Sequence, residues 1–216
     1  MGEQPQRIWY ASYGSNMHLT RLNHYIAGGR PPGAGRTYPG CRDRTPPSRS
    51  VALTLPGQVY FATESAVWTG GRAFYDAGAD GVAWGVAHLV TAEQFSDIVA
   101  QEMYRDPGVG ADLDLTAVLA DGRFEWGPGR YETLVRAGVL DGVPVLTFTA
   151  PWRMADVTLR QPSADYLRHL ADGLRASAAW SVEAIAEYLA TRPGALGHWT
   201  PAAVAALIDE EDGSRE

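Results

Sequence analysis

The chain has 216 residues, of which 45% are hydrophobic and 20% are charged, a composition typical of a folded soluble protein. Its formal net charge is −7, so no basic surface indicates a nucleic acid or an anionic membrane as its partner. The length suits one large domain or two small ones with a substantial core.

Cysteine, histidine and hydropathy patterns exclude several further classes. Cys41 is the only cysteine, so the chain has no intramolecular disulfide framework. The five histidines show no metal-binding spacing, and we expect neither a metal nor a cofactor. The N-terminal residues lack the apolar core of a signal peptide, and no window is long enough for a transmembrane helix. We therefore expect a cytoplasmic protein without a membrane partner.

An aromatic strand followed by a tight turn opens the chain. Residues 7–13 predict a buried strand, which breaks at the Gly-Ser-Asn triplet at 14–16. The spacing of Leu19, Leu22 and Tyr25 then predicts a short helix. Such a corner at a helix N-terminus exposes backbone N–H groups that can bind a carboxylate or a developing oxyanion. A plain β-turn without a ligand is the alternative.

Several short strands and a glycine-rich block follow. Residues 28–50 are rich in glycine, proline and arginine and predict an irregular surface segment. A Trp-Thr-Gly-Gly-Arg-Ala block lies at 68–73. Apolar runs between turn residues predict strands at 51–55, 58–62, 81–90, 131–137 and 143–149.

The most informative carboxylate lies in a predicted helix that begins at Ala92. Thr91 and Gln94 form a capping-box pattern at its start. Glu102 falls on the same stripe as the apolar residues, where burial would favour the protonated form of a carboxyl group and suit it to take and give a proton. The stripe recurs at helical spacing and consists of Phe95, Ile98, Val99 and Met103.

Two other arrangements are compatible with the same pattern. Glu102 can lie at the edge of the stripe with its carboxylate in water, or it can pair with a nearby arginine such as Arg105. Helical phase alone does not choose among these arrangements.

After Pro151 the pattern becomes helical. Ser163, Ser181 and Thr200 each have the position of an N-cap residue ahead of a helical pattern. Strands come first and helices last, with the helical part from about residue 162. We therefore predict one α+β domain over residues 1–216.

Five separated blocks resemble the γ-glutamylcyclotransferase-like family, in the same order. They are Tyr-Gly-Ser-Asn at 13–16, the block at 68–73, Val-Ala-Trp-Gly-Val at 82–86, Gln-Glu at 101–102 and Pro-Ser-Ala-Asp-Tyr at 162–166. The resemblance covers about residues 7–175. It implies the fold of that family, a small mixed β-barrel or sheet with packed helices.

The resemblance also implies roles for individual residues. Glu102 takes the position of the general acid/base, and Tyr166 lines the substrate pocket. Met103 stands where the family often has glycine, and the tract 104–129 is long enough to hold an insertion. The glutamyl part of the substrate is held by the segment that ends in the turn, which consists of Tyr10, Ala11, Ser12, Tyr13, Gly14, Ser15 and Asn16.

The reaction of the family is an intramolecular aminolysis of a small γ-glutamyl substrate. The α-amine attacks the γ-carbonyl, 5-oxoproline forms, and an amine or amino acid leaves, while Tyr13, Trp84 and Tyr166 exclude water. A non-catalytic module that binds a γ-glutamyl compound or another carboxylate is the alternative. A serine hydrolase that uses Ser15 is less favoured, because the segment lacks a Gly-x-Ser-x-Gly elbow. The leaving group and the oligomeric state stay open.

Overall fold

The computed structural model describes residues 5–31 and 36–212 and has an α+β fold, as predicted. The strands are β1 (Arg7–Ser12), β2 (Ser50–Pro56), β3 (Gln58–Glu64), β4 (Gly71–Asp76), β5 (Val82–Thr91), β6 (Arg123–Glu125), β7 (Thr133–Leu140) and β8 (Val143–Thr149). The helices are α1 (Leu19–Ile26), α2 (Ala92–Glu102), α3 (Thr116–Asp121), α4 (Ala164–Ala176), α5 (Val182–Ala190) and α6 (Pro201–Asp212).

The strands form open sheets rather than a barrel. One sheet has six strands in the order β2-β5-β1-β8-β7-β6, and β3 and β4 form a second sheet of two strands. Within the described residues neither sheet closes on itself, so the barrel named as one form of the predicted fold is not found.

The chain divides into two compact units, each assembled from three separate stretches. The first consists of Met1–Ser12, Leu19–Val51 and Ala87–Pro151, and the second of Tyr13–His18, Ala52–Val86 and Trp152–Glu216. Strands β2 and β5 each begin in one unit and end in the other. The expectation of a single domain stays a prediction.

Parallel and antiparallel pairs build the sheet of the first unit. Strand β1 runs parallel to β8, with Trp9 opposite Val145. Strands β7 and β8 form the predicted hairpin through Asp141 and Gly142. The φ angles of these two residues, 52° and 76°, are the left-handed values that a two-residue hairpin requires.

Helix α2 packs its apolar stripe into the core of the first unit. It begins at Ala92 with the predicted capping box, since the side chains of Thr91 and Gln94 each accept from the other's backbone N–H at 3.0 Å. The buried cluster around it includes Ile8, Tyr10, Leu22, Tyr25, Phe95, Ile98, Val99, Leu134, Leu146 and Phe148.

The tract 104–129 contains more regular structure than the sequence predicts. Both α3 and β6 lie inside it, and β6 pairs with β7 at the edge of the sheet, with Arg123 opposite Val135. These elements have only 6 and 3 residues, which is too short for a periodic pattern. The described part of 28–50 is irregular, as predicted, apart from an isolated bridge between Gly29 and Tyr38 and the start of β2.

The second unit contains the pair β3–β4 and the helices α4, α5 and α6. The three predicted caps are confirmed. Ser163, Ser181 and Thr200 each accept a hydrogen bond at 3.2 Å from the backbone N–H three residues later. The helical part begins at Ala164, close to the predicted residue 162.

Candidate active site

The predicted turn is a single turn of 3₁₀ helix rather than the start of an α-helix. Ser15–Met17 form it, and the N–H of Met17 donates to the carbonyl of Gly14 at 3.1 Å. His18 is then extended (φ −76°, ψ 116°), and α1 begins at Leu19. The macrodipole of an α-helix therefore does not act at this turn, and an anion here has to be held by individual backbone N–H groups.

Tyr166 lies beside this turn in the second unit. Its hydroxyl oxygen is 3.6 Å from the position that a Cβ atom on Gly14 would occupy, and it accepts a hydrogen bond from the N–H of Ala73 at 3.3 Å. Tyr166 is 4% exposed and its ring stacks on Trp68, with centroids 5.4 Å apart. The structure thus brings together Gly14 and Tyr166, both of which the sequence placed in the site.

The glycine pair of the block at 68–73 explains how the segment before Tyr166 is positioned. A Cβ atom on Gly70 would lie 2.5 Å from the carbonyl oxygen of Gln161, and one on Gly71 would overlap the carbonyl oxygen of Arg160. The N–H of Gly71 donates to the carbonyl of Gln161 at 2.7 Å. Only residues without a side chain let the two backbones approach this closely.

His169 is a residue of this site that sequence reasoning missed. Its Nε2 atom lies 2.9 Å from the carbonyl oxygen of Ser15 and therefore donates to it, so the imidazole holds the turn through its backbone. Its ring stacks with those of Trp68 and His18, at centroid distances of 4.8 and 5.9 Å. The available signal was its position three residues after Tyr166, on the same face of α4.

Tyr13 and Asn16 complete the described turn as buried residues. They are 6% and 2% exposed, and the ring of Tyr13 lies 5.6 Å from that of Tyr75. Their burial holds the turn in place by the side chains on either side of Gly14 and Ser15.

Trp84 stacks on aromatic rings other than that of Tyr166. Its indole is stacked between Trp180 and Tyr188, with centroids 4.6 and 4.4 Å away. Trp68, rather than Trp84, provides the indole that stacks on Tyr166.

The residues before the turn form the end of β1 and belong to the first unit. Tyr10, Ala11 and Ser12 are each 3% exposed or less. The ring of Tyr10 stacks on Phe148 at 5.4 Å and contacts Phe95 at 5.8 Å. The side chain of Tyr10 is therefore a core residue, although the sequence placed it in the substrate site.

Glu102 is the last residue of α2 and is only partly buried. The polar residue that this turn buries completely is its neighbour Gln101. The amide of Gln101 donates to the carbonyl of Tyr25 at 2.9 Å and accepts from the N–H of Gly40 at 3.3 Å. Met103 follows as the C-cap and has left the helical conformation. Glu102 is thus less buried than Gln101 and than Phe95, Ile98 and Val99 of the apolar stripe.

Arg105 forms an ion pair with Glu132 rather than with Glu102. Glu132 is 2% exposed and also accepts a hydrogen bond from the N–H of Gly129 at 2.6 Å. The arrangement in which Arg105 neutralises Glu102 is therefore replaced by a structural ion pair in the tract that follows α2.

The carboxylate of Glu102 acts electrostatically on Tyr25. Burial raises the pKa of Tyr25 well above its ordinary value, and the charge of Glu102 raises it further. The ring of Tyr25 is 4.4 Å from that of Tyr38, whose hydroxyl accepts from Nη2 of Arg21 at 2.6 Å. A neutral phenol therefore stays beside Glu102 throughout the ordinary pH range.

Metal clusters and membrane-spanning helices are both missing from residues 5–31 and 36–212. In that part of the chain no three His, Cys, Asp or Glu side chains are grouped so that they could hold a metal ion. None of its helices has the length and apolarity needed to cross a bilayer.

A curated protein is similar in sequence to most of this chain. No protein-family model matches the chain. Histone deacetylase 5 of Arabidopsis thaliana is 31% identical over 193 residues, in a match that covers 77% of this chain. The same match covers only 28% of that protein, so this chain spans little more than a quarter of the length of its relative.

Two solved structures are similar over almost the whole chain. A γ-glutamyl cyclotransferase aligns with a TM-score of 0.53 and 13% identity, over 95% of this chain and 99% of its own. A human protein described as uncharacterised aligns over the same shares, with a TM-score of 0.50 and 15% identity. Identities this low report the fold and not the activity. The mixed six-stranded sheet and its helices give this chain the fold of γ-glutamyl cyclotransferase.

Proposed function

We propose that the protein is a γ-glutamylcyclotransferase-like enzyme, which releases 5-oxoproline and an amine or amino acid from a small γ-glutamyl substrate. The observation that carries this proposal is the alignment with γ-glutamyl cyclotransferase over 95% of the chain. The approach of Tyr166 to Gly14 of the turn supports it further, because both residues had been placed in the site from their motifs.

The reaction needs no enzymic nucleophile, since the substrate supplies its own. The α-amine attacks the γ-carbonyl carbon, the new C–N bond closes a five-membered lactam, and the C–N bond to the leaving amine breaks. Glu102 takes the proton from the attacking amine and delivers it to the leaving nitrogen. General acid–base catalysis of this kind contributes roughly 10²–10⁴-fold in rate.

The turn of Ser15–Met17 has the complementary role. Backbone N–H groups at Gly14 and Ser15 hold the α-carboxylate of the substrate or stabilise the oxyanion, and each such donor is worth roughly 10²–10³-fold. His169 keeps the turn in place through the carbonyl of Ser15. Trp68 and Tyr166 exclude water, which favours cyclisation over hydrolysis.

The hydrogen bond of His169 disfavours the serine-hydrolase alternative. A general base for Ser15 would have to bind the serine hydroxyl. The Nε2 atom of His169 is instead directed at the serine's backbone carbonyl.

We predict that Glu102→Gln folds normally and loses at least about 100-fold of its 5-oxoproline release, because the amide cannot transfer the proton. Release is measured by mass spectrometry with a panel of γ-glutamyl amino acids and γ-glutamyl amines. Glu93→Gln is the matched control, since Glu93 is an exposed acid on the same helix and should keep its activity.

Each outcome of this experiment has a distinct meaning. Near-normal turnover by Glu102→Gln would remove Glu102 from the mechanism. If the wild type releases no 5-oxoproline from any compound of the panel, but the compounds still raise its melting temperature, a non-catalytic γ-glutamyl-binding module would be favoured. If there is neither release of 5-oxoproline nor a change in melting temperature, the γ-glutamyl substrate class would be contradicted.

A further inference from the structure

Three arginines and three tyrosines of the first unit alternate in a continuous row. The guanidinium carbon of each arginine lies 4.4 to 5.7 Å from the ring centroids beside it, within the range of a cation–π contact. In spatial order the arginine–tyrosine row consists of Arg21, Tyr38, Arg36, Tyr104, Arg130 and Tyr131.

This row meets the end of helix α2 at the residue proposed as the acid/base. Arg130 donates from Nη2 to the backbone carbonyl of Glu102 at 3.2 Å. Arg36 donates from Nη1 to the carbonyl of Gln101 at 2.9 Å. Tyr104 follows Met103, the C-cap of α2, in a left-handed conformation with φ 60°. Helix C-termini attract cations, so the last turn of α2 gathers these guanidiniums around Glu102.

No ion pair within residues 5–31 and 36–212 neutralises the arginines of the row. None of the three arginines forms an ion pair with a carboxylate of the described residues. The Nε atoms of Arg21 and Arg130 are buried without a hydrogen-bond partner there. A buried donor without an acceptor costs about 1–3 kcal/mol, so a chain with net charge −7 keeps this row at some cost to stability.

Guanidinium groups match carboxylates more closely than they match any neutral group. An arginine has five N–H donors in a rigid fork, of which the contacts to α2 use one in Arg36 and one in Arg130. The remaining donors are suited to the two oxygens of a carboxylate.

We infer that the arginine–tyrosine row binds a carboxylate on the leaving part of the substrate. The inference rests on the proposed function, because an acid that protonates the leaving nitrogen must lie where the leaving group begins. Substrates whose leaving group is an amino acid are then preferred over those that release a neutral or cationic amine. Arg36 and Arg130 are the specificity-determining residues.

The test compares γ-glutamylalanine with γ-glutamylalanine amide, which differ in the charge of the leaving group and little else. The wild type should prefer the acid by at least about 10-fold in kcat/KM, and raised ionic strength should narrow this preference. Arg36→Gln and Arg130→Gln should each lose most of this preference, because KM should rise more for the acid than for the amide. Arg36→Lys and Arg130→Lys, which keep the charge, should retain part of it.

Arg49→Gln is the matched control for this experiment. Arg49 also stacks on an aromatic ring, Trp9 at 5.1 Å, and its loss removes the same unit of charge. It lies in an exposed ion pair with Asp141, and its variant should keep the preference for the acid.

Failure of the inference and failure of the proposed function are distinguishable. Equal turnover of acid and amide by the wild type at low salt would overturn the carboxylate site and leave the cyclotransferase activity standing. If neither compound releases 5-oxoproline, calorimetric binding of both compounds decides the point. If the wild type binds the acid more tightly than the amide, and Arg36→Gln or Arg130→Gln loses this difference, the carboxylate site is supported even without the reaction. Equal binding of the acid and the amide would overturn the carboxylate site. If the glutamine variants do not fold, the wild type alone tests the carboxylate site, through the change of its preference for the acid with ionic strength.

Discussion

Gln101 and Glu102 are adjacent polar residues at the end of α2, and they differ in burial: Gln101 is fully buried and Glu102 only partly. A neutral amide can be buried completely when both of its ends are hydrogen-bonded, as those of Gln101 are. Burying a carboxylate in the same way would cost far more free energy, because the charged group would lose its hydration. Glu102 is only partly buried, and its charge adds to the effect of burial in raising the pKa of Tyr25.

Helical phase identified the side of α2 that faces the core but not how deeply each residue of its last turn is buried. Successive helical residues differ by about 100° in direction, so Glu102 shares the side of Ile98 and Gln101 shares the side of Asp97. The hydrogen bonds that bury Gln101 come from residues 25 and 40, which no local pattern connects to α2. Depth was therefore set by tertiary contacts.

Tyr166→Phe should lower the free energy of unfolding by about 1–3 kcal/mol. The change removes the hydroxyl oxygen that accepts a hydrogen bond from the N–H of Ala73, and it does so in a buried environment, since Ala73 is 1% exposed. Urea denaturation measures the change. Tyr104→Phe is the control, because Tyr104 is 59% exposed and its hydroxyl has no hydrogen bond in the described structure, so the change should be within about 0.5 kcal/mol. Equal losses in both variants would contradict the prediction.

Alkaline pH should destabilise the fold partly through Tyr75. Burial raises the pKa of Tyr75 from 10.0 to about 12, and the neighbouring carboxylate of Asp76 adds to the effect. Since the folded-state pKa lies above the unfolded value, this contribution to stability is complete below about pH 10 and is lost as pH rises toward 12. Denaturant midpoints from about pH 9 to about pH 12 should fall less steeply for Tyr75→Phe than for the wild type. Parallel curves would show that Tyr75 is not responsible.

At the scale of elements, the contact between the start of β4 and the segment before α4 has no room for a side chain. Gly71→Ala should cost about 3 kcal/mol, because the new methyl group would overlap the carbonyl oxygen of Arg160. A fall in melting temperature of roughly 6–12 °C is expected for a chain of this size. Gly110→Ala serves as control: its φ of 93° is strained for alanine, but no atom lies within 4 Å of the new Cβ, so about 1 kcal/mol is expected. Similar losses in the two variants would refute the close contact.

Elements that a few neighbouring residues determine could be predicted from the sequence, and elements that depend on tertiary contacts could not. The capping box of α2, the N-caps of α4, α5 and α6 and the Asp-Gly hairpin were all readable, since a few adjacent residues determine each. The 3₁₀ turn was mistaken for a helix start because a Gly-Ser-Asn triplet is typical of both. Helix α3 and strand β6 depend on their tertiary partners and carry no pattern of their own.

At the scale of the whole molecule, the motifs indicated the fold but not the contacts among them. The blocks at 13–16 and 162–166 lie about 150 residues apart, and only the structure shows Tyr166 beside Gly14. The arginine–tyrosine row is equally non-local, since α1, the segment after it and the tract beyond α2 each contribute members. No spacing rule links the members of the row, so the row could not be found from the sequence, and for His169 the one signal was its position three residues after Tyr166.

The discontinuity of the two units limits how this protein can be taken apart. The shortest continuous fragment that contains the second unit runs from Tyr13 to Glu216, and it already includes all of the first unit except Met1–Ser12. The six residues that carry the turn, Tyr13–His18, belong to one unit while both of their chain neighbours belong to the other. No single continuous fragment can therefore keep the whole second unit, with its turn, and leave out more of the first unit than Met1–Ser12.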